Sequence, residues 1–365
     1  MFRFSIILIS LILISCGQEN PHNWSYCWDG NGNNINSCTT TQQIGSTYLD
    51  FGKDISIYSS DSIYIVGHSE GDLDGNTNSG GSDIFLVKYN SLGWKQWSNL
   101  LGSTQNDFAL GSDVDSNDNV YVAGYTQGNL DGNNSNGNDD LFLSKYNSSG
   151  TKIWTSTFGS SQNDQAKDVS LFSSSVYVTG QTMGDITGDN AGNNDIFLLK
   201  YNSSGNLIWR IQRGSSYDDL SKAVDTDTSG NVYLTGHTEG DLTGDSSGDA
   251  DFFLAKYNAS GIVQWLKQLD TTSDTFAQEI VVDPSNNIYV TGNTEGSFDG
   301  NANVGGSDIF LVKYDTSGTK QWSIQTGSAG NEYSKGISVD STGDIYITGH
   351  ASSDLDGNSN LGGKD

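Results

Sequence analysis

Proline, charged residues and basic residues are all scarce in this sequence. The 365-residue chain has 2 prolines, and only 17% of its residues are charged. These shortages argue against collagen, proline-rich linkers and disorder driven by charge density. Only 17 lysines and arginines stand against 44 aspartates and glutamates, so the net charge is −27. Nucleic acids and anionic lipid surfaces need a cationic face, so we expect neither as a partner.

Glycine and aromatic residues are abundant by contrast. The sequence contains 45 glycines, and 11% of its residues are aromatic. After residue 45 the apolar segments are short, are bounded by turn-forming residues and show no helical spacing. This combination predicts an all-β protein with many short strands and tight turns.

Residues 1–15 resemble a bacterial lipoprotein signal peptide. Arg3 precedes an apolar run from Ile6 to Ile14, which is too short for a stable transmembrane helix. The segment Leu13-Ile-Ser-Cys16 resembles the lipobox, in which cleavage leaves Cys16 as the acylated first residue. Gln18 is not the aspartate of an inner-membrane retention signal, so we expect a palmitate-bearing anchor at the bacterial outer membrane or cell surface. An ordinary secretory signal with a chance cysteine is the alternative.

Residues 16–45 are predicted to form a lipidated tether. Cys27 and Cys38 are the two remaining cysteines, and an oxidising compartment favours a disulfide loop between them. Two free thiols are the alternative, and zinc has little support because His22 is the only histidine nearby in the sequence. Thr40 to Ile44 aligns with the fourth strand of the repeats described next, so this segment could close a ring of repeats.

Residues 46–365 repeat one pattern with a period of about 57 residues. A segment of the type Asp-Ile-Phe-Leu-Val-Lys-Tyr begins at Asp83, Asp140, Asp195, Asp251 and Asp308. A Val-Tyr-Val-type segment precedes each copy, and one tryptophan follows it: Trp97, Trp154, Trp209, Trp265 and Trp322. The copy and its tryptophan are separated by an Asn-Ser-Ser-Gly-type sequence, which favours a type I turn. Each period therefore predicts four short strands.

The third strand of each repeat is apolar on both faces. Ile309 and Leu311 point to one side, whereas Phe310, Val312 and Tyr314 point to the other. Such a sheet must be covered on both sides, so neighbouring repeats are expected to stack face to face. Radially stacked repeats of four strands make a β-propeller, here with about six blades of which the last is incomplete.

These repeats resemble the SBBP family of bacterial β-propeller repeats. The resemblance rests on Asp283-Pro-Ser-Asn-Asn-Ile-Tyr-Val-Thr-Gly292 followed by Asp308-Ile-Phe-Leu-Val-Lys-Tyr314, and similar segments recur across residues 46–365. It implies a propeller but no agreed activity, because function lies in sites and not in folds.

The repeat pattern stops part-way through its sixth copy. Asp365 corresponds to Asp308, the residue that begins a third strand. A blade that ends there has an open apolar edge, which promotes aggregation. We therefore expect the sequence to be a truncated product whose native form continues by one strand in a six-bladed ring, or by more than a period in a seven-bladed one.

The long loop after each second strand carries the candidate metal ligands. Oxygen-bearing side chains alternate there beside a glycine, which suits calcium because this ion takes six to eight oxygens. The predicted ligands are Asp72, Asp74, Asn76, Asp299, Asn301, Asp354, Asp356 and Asn358. The glycine comes one place early for an EF-hand, and no bidentate glutamate follows. A solvated loop held by Asx turns is the alternative.

Residues that recur in every repeat are expected to be structural. The lysine of each third strand, such as Lys88, should pack its stem between blades and place its ammonium near a repeated aspartate. His68, His237 and His350 share a position after the second strand, where we expect exposed histidines that bind no metal.

A functional site should contain residues that depart from the repeat. Arg210 and Arg213 depart most clearly and are the predicted ligand-binding residues. Glu279 and Glu332 also depart, but the sequence nominates no catalytic pair of acids.

The sequence thus predicts a lipid-anchored, extracytoplasmic propeller that acts as a binding or interaction module, in adhesion or as a scaffold. Its ligand would be a protein or a glycan, and membrane contact would occur through the N-terminal lipid only. One alternative is an enzyme that acts on a polysaccharide at the mouth of the propeller. The other is a truncated remnant without function.

Overall fold

The computed structural model describes residues 43–58, 62–243, 249–269 and 273–355, residues 358 and 360, and three two-residue strands nearer the N-terminus. The predictions for Cys16, Cys38, Thr40 and Asp356 fall outside these residues. Ile44, at the end of the proposed closing segment, packs against the first blade. Within the same ranges, no helix combines the length and the apolar character that crossing a bilayer requires.

The molecule consists almost entirely of antiparallel sheets that follow one another along the chain. The short N-terminal strands are β1 (Ser5–Ile6), β2 (Cys27–Trp28) and β3 (Asn34–Ile35). Blade 1 contains β4 (Asp50–Tyr58), β5 (Ser62–Ser69), β6 (Asp83–Tyr89) and β7 (Lys95–Leu101). Blade 2 contains β8 (Asp107–Val114), β9 (Val120–Thr126), β10 (Asp140–Tyr146) and β11 (Lys152–Phe158), with a 3₁₀ turn at Leu130–Gly132.

The remaining blades repeat this order. Blade 3 contains β12 (Asp164–Phe172), β13 (Ser175–Thr182), β14 (Asp195–Asn202) and β15 (Leu207–Arg213). Blade 4 contains β16 (Asp219–Thr226), β17 (Val232–Thr238), β18 (Asp251–Tyr257) and β19 (Val263–Leu269). Blade 5 contains β20 (Thr275–Val282), β21 (Ile288–Thr294), β22 (Asp308–Tyr314) and β23 (Lys320–Thr326). Blade 6 contains β24 (Glu332–Val339) and β25 (Ile345–Ala351), and β1 pairs in parallel with β25.

Each complete blade is a meander in which the four strands pair in chain order. The first strands of successive blades contact one another: β4 with β8, β8 with β12, β12 with β16, β16 with β20, and β20 with β24. The first strands therefore line the axis on which the blades converge, and the fourth strands lie at the outer rim. The prediction of about six four-stranded blades with an incomplete last one is confirmed.

The core lies between blades. In β6, β10 and β18 every residue is buried, as expected for a strand covered on both faces. Tyr64 and Leu86 of blade 1 belong to the same apolar cluster as Val122 and Phe142 of blade 2. Face-to-face stacking of neighbouring blades thus buries the apolar surface that no single blade could bury.

The tryptophans of the fourth strands in blades 1 to 4 each contact a turn of the next blade. Trp97 Nε1 donates a hydrogen bond to the carbonyl of Ser148 at 3.0 Å. Its ring covers Gly150, where a Cβ would lie 2.8 Å from the ring and where φ is +83°. The last residue of the Asn-Ser-Ser-Gly turn must therefore be glycine for two reasons, backbone conformation and contact with the tryptophan.

The repeated lysines also join neighbouring blades. Lys88 Nζ lies 2.7 Å from Asp118 Oδ2, donates to the carbonyl of Ser148 and sits 5.0 Å from the ring centre of Tyr64. Equivalent cation–π contacts occur at Lys145, Lys200, Lys256 and Lys313. The predicted structural role of these lysines is confirmed.

Two buried carboxylates flank the chain where it passes from one blade to the next. At the junction of blades 2 and 3, Asp140 Oδ2 accepts the N–H of Asn136 and Asp164 Oδ2 accepts the N–H of Ser160, both at 2.6 Å. Gly159 lies between the two carboxylates. These hydrogen bonds hold the loop before the third strand and the link between blades in fixed positions.

Candidate functional site: the axial mouth

Each first strand contains a β-bulge near its beginning, and the bulges meet around the axis. A bulge inserts one residue that has no partner on the neighbouring strand and redirects its side chain. The inserted residues are Lys53, Leu110, Lys167, Lys222, Gln278 and Lys335. Each stands three positions after the first residue of its strand. We call these six residues the axial mouth, together with the rings that pack beside them: Phe51, His68, Phe108, Tyr125, His237, Phe276, Tyr333 and His350.

The four lysines of the axial mouth carry mutually repelling charges. Burial, together with the positive charges of Lys222 and Lys53, lowers the pKa of Lys167 to about 8, although the negative charge of Asp139 opposes the shift. Burial also lowers the pKa of Lys222, with the charge of Lys335 acting in the same direction. A protein of net charge −27 therefore concentrates positive charge at one place on its axis.

Aromatic and histidine rings lie beside these lysines. Phe51 and His68 have ring centres 5.1 Å apart, His68 and Phe108 4.7 Å, and Phe108 and Tyr125 4.8 Å. The four rings form a continuous row from blade 1 to blade 2. Similar contacts join His237 to Phe276 across blades 4 and 5, and Tyr333 to His350 within blade 6.

The prediction of exposed histidines is wrong for His68 and His237, which are only 7% and 6% exposed. Each packs its imidazole ring against a phenylalanine of the next blade, and this contact arises only when neighbouring blades stack. Burial, together with the charge of a neighbouring mouth lysine, lowers the pKa of His68 to about 4 and that of His237 to about 3. Both side chains are therefore neutral at physiological pH.

Five carboxylates lie deeper along the axis, below the lysines. They are Asp54, Asp113, Asp168, Asp225 and Glu279. Asp54 accepts the N–H of Ser112 at 2.7 Å, and Asp168 accepts the N–H of Val224 at 2.8 Å. The acceptor lies in one blade and the donor in the next, so these acids satisfy backbone groups that the inner edge strand leaves unpaired.

The axial carboxylates resist ionisation. Burial raises the pKa of Asp113 to about 7 and that of Asp225 to about 6. The pKa of Glu279 is also raised, mainly by burial and further by the negative charge of Asp168. No group of three or more histidine, cysteine or acidic side chains in the described ranges is arranged to hold a metal ion.

A cavity of about 750 Å³ opens beside the axial mouth, between blades 4 and 5. Phe276 of the mouth forms part of its wall, and Tyr217, Glu239, Asp249 and Asp274 line the rest. The cavity wall is acidic, whereas the neighbouring bulge residues are basic.

A comparison with known families identifies the repeat at three places in the chain. The model for SBBP, a beta-propeller repeat, matches residues 96–131, 264–299 and 321–356. These three segments are matches to the SBBP repeat. Each matched SBBP segment runs from a fourth strand, across a blade junction and through the bulged first strand, to the loop after the next second strand.

Two curated proteins are similar in sequence to part of this chain. An uncharacterized WD repeat-containing protein of Acanthamoeba polyphaga mimivirus is 26% identical over 44% of this chain and 14% of its own length. The regulatory protein FlaEY of Caulobacter vibrioides is 29% identical over 42% of this chain and 18% of its own length. The chain thus matches less than a fifth of either relative.

A solved structure shares the fold of the SBBP repeats. The periplasmic gluconolactonase PpgL of Pseudomonas aeruginosa superposes with a TM-score of 0.50 over 93% of this chain and 90% of its own, at 11% identity. At this identity the likeness concerns the propeller architecture alone.

The predicted calcium ligands that the structure describes lie in the turns after the second strands. Asp74 and Gly75 have φ of +55° and +83°, and Leu73 and Asn76 pair on either side, which is the arrangement of a type I′ Asp-Gly turn. Asp74 contacts Lys95 and Ser98, and Asp299 contacts Lys320 and Ser323. Turn geometry and ion pairs account for these residues, and calcium binding stays a prediction.

Arg210 and Arg213 lie on β15, the outermost strand of blade 3, and not at the axial mouth. The Arg210 guanidinium stacks 5.4 Å from the ring centre of Phe158 on the neighbouring blade.

Sequence reasoning missed the mouth lysines, although one signal was available. A lysine stands three residues after the first acid in the first strands of blades 1, 3, 4 and 6.

Proposed function

We propose that this protein is a binding module, lipid-anchored outside the inner membrane, that holds its ligand at the axial mouth. The supporting observation is the convergence of Lys53, Lys167 and Lys222 with a row of aromatic rings at the axis of the blades. Rigid blades hold these side chains in place, as scaffolds do for binding sites.

The axial carboxylates favour binding over hydrolysis. A glycosidase needs two acids that are free to exchange protons with substrate. Asp113 instead accepts the N–H groups of Val114 at 2.7 Å and Leu171 at 2.8 Å, and Asp225 accepts the N–H of Val282 at 2.7 Å. With their oxygens engaged by the backbone, these acids support a structural role, and the polysaccharide-acting enzyme is the less supported alternative.

The membrane anchor rests on the lipobox-like sequence ending at Cys16. Replacing Cys16 with serine should abolish metabolic labelling with palmitate and move the protein from the membrane fraction to the soluble fraction. Labelling with palmitate that persists in Cys16→Ser would place the lipid elsewhere and contradict this part of the proposal.

Binding at the axial mouth can be tested with two pairs of charge-removing substitutions. Full-length protein in detergent is immobilised and exposed to cell-envelope extract and culture medium. A component retained by the wild type should be lost from Lys167→Gln/Lys222→Gln. It should remain on Arg210→Gln/Arg213→Gln, which removes the same charge from the outer strand.

Each other outcome would overturn the proposal. Equal retention by all three proteins would place binding away from the mouth, and loss only from the arginine variant would return the site to β15. Release of product from a polysaccharide panel would favour the enzyme. Failure of the wild type to retain any component would favour the remnant.

A further inference from the structure

We propose that the ligand of the axial mouth is a short acidic oligosaccharide, whose carboxylates lie among the bulge lysines and whose sugar rings lie against the aromatic row. This inference rests on the proposed function, since it names the ligand class of that site. It follows from the placement of the lysines, the placement of the rings and the charge of the surrounding surface.

The bulge lysines turn away from the carboxylates beneath them and toward the open end of the axis. Lys167 Nζ donates to Gln165 Oε1 at 2.7 Å and lies 5.8 Å from the ring centre of Tyr125. Lys53 Nζ lies 5.6 Å from the ring centre of Phe51. Lys53 and Lys167 thus reach back toward the beginning of their own strands, so their ammonium groups lie on the mouth side of the axial acids.

The positive charge of Lys167 is offset only in part by a nearby carboxylate, that of Asp139. Asp54 and Asp168, the axial acids that directly follow Lys53 and Lys167, use their oxygens to accept backbone N–H groups of the following blade. Lys167 is therefore influenced more by Lys222 than by the carboxylate of Asp139. A bound carboxylate would relieve this repulsion and gain charge-assisted hydrogen bonds in a partly buried site.

The aromatic row favours a sugar as the carrier of the carboxylate. Phe51 is 42% exposed, and its ring begins the row that continues through His68 and Phe108. Aromatic faces bind flat apolar surfaces, and the C–H faces of pyranose rings are such surfaces. An extended acidic peptide offers the charge but no comparable series of flat faces, so the observations favour the glycan.

The surrounding surface favours a short chain. The cavity beside the mouth is lined by Glu239, Asp249 and Asp274, and the whole protein carries a net charge of −27. A long polyanion would extend from the lysines onto this acidic surface and be repelled. A few uronate residues can occupy the mouth without leaving the region of positive charge.

Calorimetric titration with tri-galacturonate and with its fully methyl-esterified form tests the inference. The free acid should bind the wild type, and the ester, which keeps the shape but not the charge, should bind at least tenfold more weakly. Lys167→Gln should weaken binding of the free acid about tenfold. Lys267→Gln, which removes an exposed lysine from the outer strand β19, should change affinity less than twofold.

A second measurement does not depend on the heat of binding. Because its pKa is lowered to about 8, Lys167 should react with amine-modifying reagents at pH 8 faster than Lys267, and tri-galacturonate should protect Lys167 but not Lys267. Equal binding of acid and ester, or no protection of Lys167, would overturn the inference. An acidic peptide that binds and protects Lys167 while tri-galacturonate does not would overturn the ligand class and leave the proposed binding at the mouth intact.

Discussion

Replacing Gly159 with alanine is expected to lower the free energy of unfolding by about 3 kcal/mol. A Cβ at this position would lie 2.1 Å from Asp140 Oδ1 and 3.0 Å from Asp164 Oδ2. Neither carboxylate can move aside, because Asp140 is 1% exposed, Asp164 is fully buried, and each accepts backbone N–H groups. Urea unfolding followed by tryptophan fluorescence measures the effect.

Gly52→Ala is the matched control. Gly52 lies in the first strand of blade 1, immediately before the bulge residue Lys53, and a Cβ there would have no atom within 4 Å. We expect its unfolding midpoint to stay within error of the wild type or to rise slightly. If Gly159→Ala were no less stable than Gly52→Ala, the carboxylates at the junction would be mobile and their role in fixing the blades would be wrong.

The blades could be predicted from the sequence because their main signals are local. The alternation of residues, the turn sequences and the two-sided apolar third strand are all contained within one period. Lys88 and Trp97 could be interpreted because each recurs in every complete blade, and a contact made by every blade with its neighbour must be structural. The order of strands within each blade followed from the same pattern.

The geometry of the axial mouth could not be predicted, because a bulge that occurs in every first strand leaves the spacing of the repeats unchanged. One inserted residue shifts which side chains face the axis, and the repeat of the sequence is unchanged by it. Glu279 was recognised as a departure from the pattern, but its approach to Asp168 depends on how the first strands converge. The histidines were misjudged for the same reason, since the ring that buries His68 comes from the next blade.

The protein is expected to become less stable as the pH rises from 5 to 8, mainly through the axial carboxylates. The pKa of Asp113 is raised to about 7 and that of Asp225 to about 6, above the value of an unfolded aspartate. The folded protein therefore holds protons that the unfolded chain has released. Stability from this source is complete below pH 4 and is lost as the pH rises through 6 and 7.

Replacing Asp113 with serine should reduce this pH dependence by about 2 kcal/mol between pH 5 and pH 8. Serine fits the position, because Ser56, Ser170 and Ser338 occupy the same register in other first strands. At pH 5 the variant should be slightly less stable, since it loses the acceptor for the N–H of Leu171. At pH 8 it should match or exceed the wild type, because no buried charge remains at this position. Urea midpoints at pH 5, 6, 7 and 8 give the comparison.

Asp74→Ser separates this effect from the general loss of a negative charge. Hydrogen bonds from Lys95 and Ser98 lower the pKa of Asp74, so this carboxylate stays ionised between pH 5 and 8 and contributes nothing to the slope there. Its removal should shift the midpoint equally at every pH in that range. If Asp74→Ser and Asp113→Ser changed the slope to the same extent, overall charge repulsion would be the cause of the pH dependence, and the axial acids would have no special part in it. A slope that only Asp113→Ser reduces would instead show that the inner strands are joined by carboxylates that remain protonated near neutral pH.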